Sequence, residues 1–93
     1  MSKSSLIKRL TDTPEKMRLY QQERASLELT ELICEIMEKQ GMTRAELASY
    51  LHITEYWVSC FLDARVSMSV VMASDIFTAL GHSLHFHTGP LDV

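Results

Sequence analysis

Residues 43–62, TRAELASYLHITEYWVSCFL, decide how this chain is read. Thr43 followed by Glu46 is a capping box: the hydroxyl takes an orphan backbone N–H and the carboxylate reaches back to the cap. Leu47, Ala48 and Leu51 then recur at helical spacing. The run breaks at His52-Ile53, and Thr54 supplies a second N-cap. After it Val58, Phe61 and Leu62 fall at i, i+3 and i+4. The stretch therefore reads as two short helices joined by a tight turn. Ala48 is the small residue where two crossed helices approach, and Ile53 is the apolar plug of the turn.

Two short helices joined in this way form a helix-turn-helix pattern, whose second helix normally enters the major groove of DNA. The residues also carry a family likeness. Met42-Thr43-Arg44-Ala45-Glu46-Leu47-Ala48, then Leu51, Ile53-Thr54 and Val58-Ser59, resembles the Xre / lambda-repressor-like helix-turn-helix family. Ala79-Leu80-Gly81, about twenty residues later, extends the likeness, which covers roughly residues 29 to 88. Two positions depart from the family pattern. The family usually has Gly in the turn, where a positive φ is easy, and this chain has His52. The family often has Asn-Gly after the recognition helix, and this chain has Asp63-Ala64.

Upstream, residues 1–13 include Leu6, Ile7 and Leu10 among polar neighbours, and read either as a short amphipathic helix or as an N-terminal arm. Asp12-Thr13-Pro14-Glu15 is a helix start, with Pro in the first turn and an acid at the positive end of the helix dipole. No Gly or Pro interrupts residues 15–40, so a long helix is expected over 14–40. Leu29, Leu32, Ile33, Ile36 and Met37 form its apolar stripe, and Gly41 ends it. The first half, with Met17 and Tyr20, is longer than a small helix-turn-helix domain needs. It packs either on a second subunit or back on its own core.

Downstream, Ser69 caps a helix expected over 70–80, with Gly81 as its stop. The period then changes to two: in residues 82–88, Leu84 and Phe86 point one way and Ser83, His85 and His87 the other. That alternation predicts a short half-buried strand. A lone strand needs a partner, and the economical one is the same strand of a second subunit about a two-fold axis. Leu84, Phe86, Met17 and Tyr20 are thus the expected dimer-interface residues.

Composition sets the outer bounds. Ninety-three residues make one domain with a small core. The sequence has no long apolar run and no signal-peptide pattern, which places the chain in the cytoplasm, away from membranes. Cys34 and Cys60 lack metal-type spacing and are expected as reduced thiols. The net charge of −3 is unevenly spread. Residues 1–24 carry six Lys or Arg against three acids, and the remainder has Lys39, Arg44 and Arg65 against nine acids. DNA affinity depends on neutralising phosphates, so the acidic helix-turn-helix needs help from a dimer or from the basic N-terminal part.

The exposed face of the second helix is expected to include Glu55, Tyr56, Ser59 and Cys60. The resemblance assigns base-edge reading to these four, and phosphate contacts to Arg44, Thr54, Arg65 and Ser67. Arg44 lies at a helix N-terminus, where backbone N–H groups also attract phosphate. Glu55 suits a cytosine amino group, Tyr56 and Ser59 suit a phosphate or base, and Cys60 suits only an apolar contact such as a thymine methyl. Tyr56, Trp57 and Cys60 also fit an apolar patch that meets protein.

His85 and His87 share a face, but no carboxylate or thiol lies near them in sequence, so no metal is expected. With no phosphate-binding Gly loop, paired carboxylates or cofactor motif, the chain reads as a non-enzyme without cofactors. The expectation is therefore mainly α: a lambda-repressor-like helix-turn-helix bundle with a long N-terminal helix and a short C-terminal β-strand, in a single domain over 1–93. It implies a homodimeric, sequence-specific repressor on a double-stranded DNA operator. Compact members of the resembled family with a C-terminal strand often act as antitoxins that autoregulate their operon and bind a toxin. The alternative is a helix-turn-helix-derived module that meets a protein.

Overall fold

The structure, a computed structural model, describes residues 3–91, without the side chains of residues 3–5 and 7. It is mainly α. Five helices follow in order: α1 Lys3–Leu10, α2 Pro14–Gln40, α3 Arg44–Leu51, α4 Glu55–Leu62 and α5 Val70–Ala79. The chain divides into two compact units, one of residues 26–85 and one of the N-terminal stretch to Ala25 with the segment from Phe86. No described helix is long and apolar enough to cross a membrane.

In the larger unit, α2 ends because Gly41 takes φ +67, a left-handed turn that a Cβ would resist. The turn returns Gly41 N–H to Glu38 O at 3.2 Å and Met42 N–H to Met37 O at 2.9 Å, the two bonds of a Schellman cap. Thr43 then opens α3 through the expected capping box. Its hydroxyl accepts from Glu46 N–H at 3.1 Å, and Glu46 Oε1 accepts from Thr43 N–H at 3.1 Å.

Three residues separate α3 from α4. His52 supplies the reversal with φ 55 and ψ 39. Ile53 N–H bonds back to Ala48 O at 3.1 Å while its side chain packs on the core. Thr54 caps α4 by accepting from Trp57 N–H at 3.2 Å. A second left-handed residue, Ala64 at φ 57, turns the chain after α4. Ser69 caps α5 by accepting from Met72 N–H at 3.0 Å.

The core gathers two or three residues from each of the four helices α2 to α5 with their caps. Ile33 and Met37 come from α2, Leu47 and Ala48 from α3, Val58 and Leu62 from α4, and Ile76, Phe77 and Leu80 from the last helix and its cap. α3 lies at the centre and packs against both α4 and α5. Gln40 adds a polar tie: its Nε2 donates to Leu80 O at 2.7 Å, so the end of α2 satisfies a carbonyl at the end of α5.

The C-terminal segment corrects the expectation for residues 82–88. No strand forms there or elsewhere among the described residues. A strand needs a ladder partner, and none of the described segments offers one. The predicted alternation also fails: Leu84 is half-buried against this chain's own core, whereas Phe86 is 72% exposed. The N-terminal stretch takes the helical one of its two readings. After α1, Thr13 caps α2 by accepting from Lys16 N–H at 3.1 Å, with Pro14 in the first position.

His52 and Ala64 hold a conformation that disfavours a side chain by roughly 1–2 kcal/mol. Glycine would relieve it while adding about 0.4–1 kcal/mol of freedom to the unfolded chain. His52→Gly and Ala64→Gly are each expected to stabilise by about 0.5–1 kcal/mol. Thermal unfolding should show a rise of roughly 2–8 °C for a domain of this size.

Candidate nucleic-acid interface

α4 is just over two turns long, and its position follows from the core. Val58 and Leu62 are buried, which leaves Glu55, Tyr56 and Trp57 on the outside. Tyr56 is 66% exposed and Trp57 47%. The two rings meet edge to face at 6.0 Å, and Trp57 leans on Phe61 at 6.3 Å. The outer surface of α4 is therefore an acid followed by an aromatic row.

Cys60 does not belong to this surface. It is only 4% exposed, so the expected base contact is withdrawn. The chain after α4 folds back at this point: Arg65 N–H bonds to Cys60 O at 2.9 Å and Val66 N–H to the same oxygen at 3.4 Å. The Cys60 side chain still acts on its neighbour one turn earlier. Its hydrogen bond pushes the Tyr56 phenol above its ordinary range.

Ser59 and Arg44 are brought together, in roles other than those expected. Arg44 Nη1 donates to Ser59 Oγ at 3.0 Å and to Asp63 Oδ2 at 3.2 Å, and Nη2 donates to Asp63 Oδ1 at 3.0 Å. The guanidinium fork thus spans from the first turn of α3 to the last turn and cap of α4. Arg44, expected on phosphate, is engaged within the protein, and the half-buried Ser59 hydroxyl is its acceptor. The hydrogen bonds from Arg44 hold the Asp63 carboxyl below the usual carboxylate range, and the same bonds push Arg44 further up. The pair is 37% and 41% exposed, so water and salt screen it.

The remaining expected phosphate contacts lie at the edges of α4. The exposed Thr54 hydroxyl accepts the cap bond from Trp57 N–H and keeps its own O–H to donate, and Arg65 and Ser67 are exposed on the segment after the helix. Met17 and Tyr20 belong to the other unit, where both are half-buried.

Sequence reasoning missed Asp63 as the partner of Arg44, although a signal was present. Ser59 and Asp63 are four apart and share one face of α4, and an Arg in the preceding helix suits such a pair of acceptors. It also missed Gln40, for which no local pattern exists. Comparison of the chain with protein-family models, with curated proteins and with solved structures finds no match.

The folded Asp63 value is depressed, so the stabilisation from its link to Arg44 is present above the ordinary Asp value of about 3.9 and fades as pH falls through the folded value. Asp63→Asn is expected to lower the melting temperature at neutral pH. Thermal melts of both proteins between pH 7 and pH 2 should show that gap narrowing below about pH 4.

Proposed function

We propose that this chain is a sequence-specific DNA-binding regulator of the helix-turn-helix type, similar to the Xre / lambda-repressor-like family, and that it represses a promoter by occluding it. One observation carries the reading. α3 and α4 are joined by only three residues, both helices are side-chain capped, and α4 buries Val58 and Leu62 while leaving Glu55, Tyr56 and Trp57 outward. A short helix held in this way is the element that such proteins lay in the major groove. Glu55 and Tyr56 are its base readers, and Arg65 and Ser67 its phosphate contacts. Arg44 acts one step back, as the brace that fixes the angle of α4 through Asp63 and Ser59. An antitoxin that represses its own operon and also binds a toxin is the narrower form of this reading.

A second reading, an interaction module for a protein partner, is favoured by the chemistry of the same surface. α4 carries no Lys, Arg, Asn or Gln, and Tyr56 and Trp57 form an exposed aromatic pair beside Glu55. Aromatic residues are enriched in protein interfaces, whereas bidentate base readers are absent here.

Fluorescence-anisotropy titration of the DNA upstream of the chain's own gene, beside a scrambled duplex, separates the two. A DNA regulator binds the upstream duplex more tightly and loses affinity steeply between two salt concentrations. Tyr56→Ala is expected to lose roughly 1–3 kcal/mol of discrimination between the duplexes. Arg65→Ala should instead weaken both alike and reduce the salt slope. Equally weak binding to both duplexes, independent of salt, would replace the first reading by the second.

A further inference from the structure

The unit made by α1 and the first part of α2 has no core of its own. Among its described residues no side chain is buried, in contrast to the larger unit with its closed apolar cluster. Its apolar side chains nevertheless lie in a pattern. Leu6 and Leu10, one turn apart on α1, are 49% and 50% exposed, and Leu19 on α2 is 56% exposed. Leu10, Leu19 and Tyr20 line one hollow of about 320 Å³. Scattered exposed leucines need no explanation, but two leucines and a tyrosine meeting in one hollow on a unit without a core mark a surface that is covered in use. Isolated helices of this length are marginal in water, so the cover also supplies stability.

We propose that the occupant of this hollow is the same hollow of a second copy of the chain. The rim argues for a like partner. It carries Arg9 and Lys16 together with the carboxylate of Glu23. A two-fold contact requires a patch that complements itself, and a rim bearing both signs meets that requirement: each copy's Lys16 faces the other copy's Glu23. Lys16 already pairs with Asp12 at 3.1 Å, but that pair is more than half exposed and exchanges partners at little cost. A uniformly basic rim would instead have pointed to an acidic stranger. Met17 and Tyr20 thereby lie in or beside the contact, and the C-terminal segment is not needed for it.

The association stands without the DNA reading. Where it rests on that reading, it supplies the second recognition helix and doubles the phosphate contacts of a chain with few cations near α4.

The test is the mass of the full chain by sedimentation equilibrium from 1 to 100 μM, with helix content monitored by circular dichroism. The wild type is expected as a dimer. Leu10→Glu and Leu19→Glu should raise its dissociation constant at least a hundredfold. Leu32→Glu, an equally exposed position of the larger unit, should leave it unchanged. Lys16→Glu and Glu23→Lys should each weaken the dimer, and the double variant should recover most of the loss, as only a self-complementary rim allows. A wild type that stays monomeric at 100 μM overturns the proposal. So does a dimer indifferent to both leucine variants, or a double variant no better than its parents. A dimer that fails to bind the upstream duplex leaves this contact standing and removes the DNA reading instead.

Discussion

The larger unit depends on a reversal made in three residues. Between Leu51 and Glu55 the chain has to leave one helix axis and enter the next, and His52 does this by adopting a left-handed backbone. The consequences follow in order along the chain. Ile53 N–H is returned to Ala48 O, the Ile53 side chain is set against the core, and Thr54 is placed to cap α4. Only then do Val58 and Leu62 face Ile33 and Leu47, and only then does Asp63 come within reach of Arg44. A residue with a Cβ bears the strain, so the packing that follows has to hold the turn in place.

The Arg44 fork shows how charge is used around α4. The cation at the start of α3 is neutralised inside the protein by Asp63, and Ser59 takes a third hydrogen bond. This rigidity is obtained with the cation nearest α4, and the outer surface is left to Glu55 and the aromatic pair. Under the proposed function, attraction for phosphate has to come from elsewhere, and the chain concentrates its cations in residues 1–24. The charge asymmetry of the sequence and the occupied Arg44 are thus two sides of one arrangement.

How much was legible in the sequence depended on the range of each interaction. Thr43 with Glu46, Thr54 and Ser69 were readable because a cap is satisfied within three residues. The bounds of α2 were readable from Pro14 and Gly41 for the same reason. Cys60 was misplaced because an eight-residue helix is too short for its phase alone to decide burial. In the folded chain Cys60 is 4% exposed, beside the buried Val58 and Leu62 of the same helix. Residues 82–88 form no strand within the single chain, because alternation is local and a ladder needs a neighbour. The link of Arg44 to Asp63 joins residues nineteen apart, and the four-residue spacing of Ser59 and Asp63 marked a pair of acceptors without naming the cation that meets them.

The hydrogen bond from Gln40 to the carbonyl of Leu80 joins residues forty apart. It ties the last residue of α2 to the cap of α5 and so closes a ring around α3, the three-residue turn, α4 and the segment after it. A ring has no ends from which to fray. Opening of α4 has to come from its own middle or await release at the Gln40–Leu80 clasp, so the backbone amides of α3 and α4 should exchange with solvent as one cooperative block. The helix that turns Glu55, Tyr56 and Trp57 outward is in topological terms one of the best enclosed of this unit.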